Sequence, residues 1–312
     1  MRPSERWTVQ TDDGVQLVGE RWRANTADAP QVLALHGITA NRLAFLPLID
    51  ALDGDVEVLA YDARGRGLSD KPVEAERYGH RRHAEDAACV LRALADGPVV
   101  VVGQSMGAWD GLQLAASHPD WVRSLVLGDG GYFADLPADA NATEFVASVM
   151  GVGWLERMQM TLPSLEFALT AFASVPPYAE MWDDNLAALL AEGLEELPDG
   201  SVKIKCSIAG AEYDSVDYFR PFGELPYLRR GLAAVSCPVH LVRAPRGFDI
   251  TPETAGPLIP EDAVEAFTRE VPQLTVETVP DTNHYTLNFG RRGVTAIAEA
   301  VRKTLADKLA AT

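Results

Sequence analysis

Residues 98–115 read PVVVVGQSMGAWDGLQLA. Four consecutive valines, Val99–Val102, run into Gly103-Gln104-Ser105-Met106-Gly107, and an apolar stretch at helical spacing follows. An unbroken β-branched run suits a strand buried on both faces, and the spacing after it suits an amphipathic helix. Ser105 therefore falls between two glycines at the seam of a strand and a helix. Turning within a residue or two lifts a side chain clear of the sheet edge, at the cost of a strained backbone. Gly103 and Gly107 have no Cβ and relieve the crowding around such a bend. A helix starting at Met106 aims its N-terminal N–H groups at the space beside Ser105. The stretch predicts an elbow that presents a hydroxyl.

The same alternation continues on both sides. RWTVQ, a turn at Asp12-Asp13-Gly14 and VQLVGERW form a hairpin pattern. QVLALHG, VEVLAYD and VRSLVLGD read as buried strands, with RLAFLPLIDALDG and HAEDAACVLRALADG as helices between them. Apolar strands separated by amphipathic helices predict an α/β fold with a mostly parallel central sheet flanked by helices. The rhythm breaks at Gly130-Gly131. Beyond it the chain reads as mainly helical and rich in Met and aromatics, including Trp154, Met158, Met160, Phe167, Phe172, Tyr178 and Trp182. It resumes with CPVHLVRAP, EDAVEAFTRE, LTVETVP and a last helix from about Arg291. The expected organisation is a core of residues 1–131 and 235–312, interrupted by a helical cap over 132–234.

Bulk properties narrow the function. Lys and Arg number 27 against 45 Asp and Glu, a formal charge of −18 over 312 residues. That field repels a phosphate backbone, so nucleic acid is not an expected partner. Cys89, Cys206 and Cys237 are odd in number and widely spaced, which gives neither a disulfide framework nor a zinc site. The opening MRPSERWTVQTDDG lacks an apolar signal region, and no apolar run reaches membrane-spanning length. A soluble cytoplasmic protein without membrane partner, metal or cofactor is expected. Asn141-Ala142-Thr143 fits a glycosylation sequon and is read as coincidental.

Three further segments join the elbow in carrying a resemblance. These are LALHGIT, YDARGRGLSD (Tyr61–Asp70) and VPDTNHYTL. Together with GQSMG they resemble the α/β-hydrolase superfamily over nearly the whole core. The resemblance implies a structural role for His36. It also implies an oxyanion hole built from the backbone N–H of Ile38, the residue after His-Gly, and of Met106, the residue after the nucleophile. The Asp62–Asp70 loop, which in this family braces the rim, has glycines but neither GxxxxGK[ST] nor GxGxxG after a strand, so nucleotide binding is not expected.

A serine hydroxyl needs an adjacent base, usually histidine. Among six histidines, His80 and His83 open an exposed-looking helix, His118 ends the elbow helix, His240 lies within a strand and His36 belongs to His-Gly. His284 remains, just past the last strand, and it satisfies the Ser…acid…His chain order. Two acids lie between Ser105 and His284 at suitable places. Asp249, in VRAPRGFDITP, holds the commonest family position, although its loop carries Pro245 and Gly247 and is longer than usual. Asp129 ends the strand SLVLGD before two glycines, where some branches of the superfamily place their acid. The glycines there offer unhindered N–H groups to a buried carboxylate. Both acids stay open, with Asp129 preferred.

Within the cap, Trp154, Met158, Trp182 and Tyr213 are candidate substrate-binding residues, since a roofed pocket is usually apolar. The expected function is a serine hydrolase acting on a small-molecule ester or lactone, medium to large and mostly apolar. Carbon–carbon bond hydrolases, aminopeptidases, acyltransferases and non-catalytic receptors share the fold and remain alternatives.

Overall fold

The computed structural model describes residues 2–132, 141–218, 232–248 and 256–306. Its centre is an eight-stranded sheet. The strands are β1 (Glu5–Gln10), β2 (Gln16–Trp22), β3 (Gln31–Leu35), β4 (Glu57–Tyr61), β5 (Val99–Gln104), β6 (Val122–Gly128), β9 (Val239–Arg243) and β10 (Leu274–Thr278). Across the sheet the order is β1-β2-β4-β3-β5-β6-β9-β10. Strand β2 is antiparallel to β1 and β4, and every other pairing is parallel.

The valine run explains why the sheet is covered on both sides. Val99 and Val101 enter one hydrophobic cluster with residues of α2 (His80–Leu94), α3 (Met106–Ser117) and α10 (Glu261–Glu270). Val100 and Val102 enter the opposite cluster with residues of α1 (Leu46–Leu52) and α12 (Arg291–Ala306). All four are at most 2% exposed. Each such side chain contributes up to about 1.5–3 kcal/mol, so none can be spared for a polar face.

Between β6 and β9 lie α4 (Ala142–Met150), α5 (Trp154–Met158), α6 (Leu165–Ala173), α7 (Pro176–Ala179) and α8 (Asp184–Glu192). They are followed by a small hairpin, β7 (Leu194–Glu196) with β8 (Val202–Ile204), and by α9 (Ile208–Tyr218). This segment meets the core at the carboxyl ends of the strands. Asn41, after β3, donates to the Leu189 carbonyl of α8 at 2.9 Å, and Arg42 pairs with Glu192 at 3.0 Å. Lys205, before α9, accepts from the Gly67 N–H in the loop after β4 at 2.9 Å. In an open α/β sheet that edge is where ligands bind.

The start of α2 differs from the sequence-based expectation. His80 and His83 are buried, not solvated: each is 1% exposed. His83 Nε2 lies 3.0 Å from Asp214 on α9, which covers this end of the helix. Among the described residues no helix is long and apolar enough to cross a membrane.

Candidate active site

Ser105 is the residue between β5 and α3, with φ 52° and ψ −119°. A non-glycine residue held at positive φ stores roughly 1–3 kcal/mol of strain, which surrounding packing must over-determine. Three glycines show how. A Cβ on Gly103 would lie 2.3 Å from the Gly107 carbonyl, and one on Gly107 would lie 2.0 Å from the Leu35 carbonyl of β3. A Cβ on Gly130 would reach 2.3 Å from the Ser105 carbonyl itself. The flanking glycines thus do separate jobs. Gly103 lets the first turn of α3 fold back over β5, Gly107 lets α3 press on β3, and Gly130 lets the chain after β6 pass beneath the bend.

His284 opens the short helix α11 (His284–Phe289), rather than lying in an irregular loop. Asn283 caps that helix, accepting from Thr286 N–H at 2.8 Å while the Thr286 hydroxyl accepts from Asn283 N–H at 2.8 Å. This reciprocal box fixes where the helix begins. The His284 backbone is pinned further: its N–H donates to the Gly247 carbonyl at 2.9 Å, and its carbonyl accepts from Asn288 Nδ2 at 2.8 Å. Its Nδ1 lies 2.7 Å from Asp129 Oδ2. A carboxylate can only accept, so Nδ1 carries the proton and Nε2 is left as the basic nitrogen.

Asp129 is wholly buried, at φ 49° just past β6. Its second oxygen accepts from the Ala244 N–H at 3.0 Å. That donor comes from the end of β9, not from the glycine pair that follows Asp129; Gly130 is spent on clearing Ser105. Asp249, the other candidate acid, lies outside the described residues.

The loop after β3 is held through His36. Its Nε2 accepts from the Ala63 N–H at 2.9 Å, so Nδ1 is protonated and donates to the Gly37 carbonyl at 2.7 Å. That carbonyl belongs to the same planar peptide as the Ile38 N–H, which a trans bond points the opposite way. His36 therefore sets the direction of the Ile38 N–H. Burial depresses its pKa to about 4, which keeps the ring neutral in this role. Asp62, wholly buried, braces the neighbouring turn by accepting from Arg42 N–H and Leu68 N–H, each at 2.8 Å.

One cavity brings these groups together. Its wall includes Gly37, Ile38, Ser105 and His284. Phe172, Tyr178, Leu186, Leu189 and Leu190 close it from the segment between β6 and β9, and Phe248, Tyr285 and Phe289 from the C-terminal part. None of the described residues lining it is Lys, Arg, Asp or Glu. Tyr178 and Tyr285 stack edge-to-face with centroids 5.1 Å apart, and burial raises the pKa of both hydroxyls, so both are neutral.

These features have counterparts. A family model of the α/β hydrolase fold matches residues 30–171. An esterase of Mycobacterium tuberculosis is 30% identical over 236 residues, covering 75% of this chain and 72% of that protein. The chain belongs to the α/β-hydrolase superfamily. A 2-(acetamidomethylene)succinate hydrolase of Mesorhizobium japonicum is 43% identical over 100 residues, which span 32% of this chain and 35% of that relative's length. Among solved structures, an E-2-(acetamidomethylene)succinate hydrolase superposes with a TM-score of 0.76 at 24% identity, over 97% of this chain and 100% of the other. At this level of identity the match shows the shared fold.

Within that fold, the four candidate substrate-binding residues singled out from sequence do not line the cavity of Ser105 and His284. Trp154 and Met158 belong to the small hydrophobic cluster that also contains Met106 and packs against Ile38. Trp182 packs against the α1–α12 side of the core. Tyr213 lines a different, polar groove with Glu76, Arg81 and Arg82. Aromatic character alone does not separate a wall residue from one that supports it. Phe172 and Tyr178 had the same signal and do reach the wall. Tyr285 and Phe289 were legible from their positions one and five residues after His284, on the helix that it opens.

Proposed function

We propose that the protein is a serine hydrolase cleaving an ester or lactone of a medium to large, mostly apolar substrate through an acyl-enzyme on Ser105. The observation that carries this reading is the grouping at one cavity: a strained Ser105 and a buried His284 in the same wall, with His284 Nδ1 2.7 Å from the wholly buried Asp129. Residues 132–234 act as the cap over that cavity, and Asp129 is the acid of the triad.

In this reaction Ser105 Oγ attacks the substrate carbonyl carbon and passes its proton to His284 Nε2. Asp129 stabilises the imidazolium that forms without taking its proton. The new oxyanion is met by the N–H groups of Ile38 and Met106, and each such donor is worth about 3 kcal/mol in the transition state. The tetrahedral intermediate collapses, the C–O bond to the alcohol breaks, and His284 gives its proton to the leaving oxygen. Water, deprotonated by His284, then attacks the acyl-enzyme and releases the acid. The neutral, apolar wall supports an uncharged acyl group, because a substrate carboxylate buried there would meet no Lys or Arg among the described lining residues.

The test is hydrolysis of p-nitrophenyl esters of graded acyl length beside a panel of lactones, by wild type and Ser105→Ala. Turnover that rises with acyl length and is abolished in Ser105→Ala is expected. Undiminished turnover by Ser105→Ala overturns the proposal.

A further inference from the structure

We propose that Arg66 is a positioning residue that ties helix α9 to both oxyanion donors, so that the hole is complete only while α9 is docked. The proposal rests on the hydrolase reading above, with Ile38 and Met106 as those donors.

Arg66 is wholly buried in the loop after β4. Its Nε donates to the Ile38 carbonyl at 3.0 Å, and its Nη2 lies 3.8 Å from Met106 Sδ. One guanidinium thus touches both residues whose backbone N–H groups face the reacting oxygen. His36 fixes the peptide on the N-terminal side of Ile38 and Arg66 the peptide on its C-terminal side. With both peptide planes held, neither soft dihedral of Ile38 is left to rotate.

The guanidinium is anchored from the other direction. Its Nη1 lies 2.6 Å from Asp214 Oδ2, and Asp214, also wholly buried, is the seventh residue of α9. Asp214 accepts in addition from the Gly79 N–H at 2.6 Å and faces His83 Nε2 at 3.0 Å. Backbone contacts reinforce the joint: Arg66 bridges to Cys206, and Ser207 N–H donates to the Gly65 carbonyl at 2.7 Å, immediately before α9 begins. Tyr78 lies under the guanidinium, 6.0 Å from ring centroid to Cζ.

The chemistry of the pair explains why it is a coupling and not only a brace. A buried guanidinium without its carboxylate is strongly disfavoured, whereas a planar fork held by a carboxylate keeps one orientation. Displacing α9 removes Asp214 and leaves the guanidinium on the Arg64 and Ile38 carbonyls without the carboxylate that sets the orientation of its fork. Sub-ångström placement of the donors decides oxyanion stabilisation. The position of the inserted segment is thereby transmitted to the chemistry with no contact to substrate.

The test uses full-length protein and the ester that wild type turns over best. Arg66→Lys keeps the charge facing Asp214 and removes the fork. The double variant Arg66→Met/Asp214→Asn removes both charges together, which a core tolerates better than one orphaned charge, and keeps an amide oxygen facing the Gly79 N–H and the His83 ring. Both variants are expected to lose about 100-fold in kcat with KM changed less than about threefold, since a displaced donor weakens the transition state alone. Affinity for an alkylboronic acid, which forms a tetrahedral adduct at Ser105, falls in proportion, while a competing ester product binds as before. A folded variant of either kind with wild-type kcat and boronate affinity overturns the role of Arg66. If wild type itself neither hydrolyses esters nor binds the boronate, the hydrolase reading fails instead.

Discussion

His284 and Asp129 are 155 positions apart in the chain and 2.7 Å apart in the fold. The contact exists because β6 and β9 are parallel neighbours: Asp129 N–H donates to the Val242 carbonyl, Ala244 N–H donates back to the Asp129 carboxylate, and Gly247 holds the His284 backbone. The carboxylate that faces His284 stands at the end of β6 and is held by the neighbouring strand.

Asp129→Asn is therefore expected to cut kcat by about 10³–10⁴-fold, because an amide donating to Nδ1 imposes the wrong tautomer on His284. Asp249→Asn should stay within about threefold of wild type, a change of under about 1 kcal/mol. Steady-state kinetics of the two single variants decide between the acids.

His36 gives a pH signature in stability. Its folded pKa is lowered to about 4, below the unfolded value of about 6.5, so the unfolded state takes up a proton first as pH falls. Its contribution is fully present above about pH 6.5 and is lost progressively down to about pH 4, a change on the order of 3 kcal/mol. Urea denaturation between pH 7 and pH 4 should show this slope, and His36→Asn should flatten it.

The elbow glycines predict a contrast. Gly107→Ala places a methyl group 2.0 Å from the Leu35 carbonyl and is expected to destabilise by about 3 kcal/mol or more. Gly97→Ala meets no atom within 4 Å and should be neutral to within about 0.5 kcal/mol. Thermal melting of the two proteins checks both.

Leu190 offers a handle on selectivity, since it lines the apolar side of the cavity. Leu190→Trp should lower kcat/KM for long acyl esters by at least about tenfold and leave short ones nearly unchanged, because overfilling excludes only the groups that need the space. A chain-length series with the two proteins provides the comparison.

What the sequence made legible follows from the range of the forces involved. The strands, the elbow and the placing of His284 are local patterns: Val99–Val102 must bury both faces, and Ser105 needs its neighbours small. His80 and His83 misled because HRRH looks like a solvated helix start, and the partner that buries His83, Asp214, lies 131 residues away. The β7–β8 hairpin carried a local signal in Pro198-Asp199-Gly200, with Gly200 at φ +83°, yet its strands are only three residues long. Trp154 and Phe172 show the general limit. Both are large and apolar, and only tertiary packing, with Trp154 in the cluster of Met106 and Phe172 in the cavity wall, separates a supporting role from a lining one.

In the proposed reaction one hydroxyl forms a covalent bond with the substrate's acyl carbon. Peptide mapping by mass spectrometry after reaction with an alkyl fluorophosphonate reads it directly. A single adduct on the peptide containing Ser105, absent from the Ser105→Ala and His284→Ala proteins, is the predicted result. An unlabelled folded protein, or labelling that persists at another residue in Ser105→Ala, would contradict it.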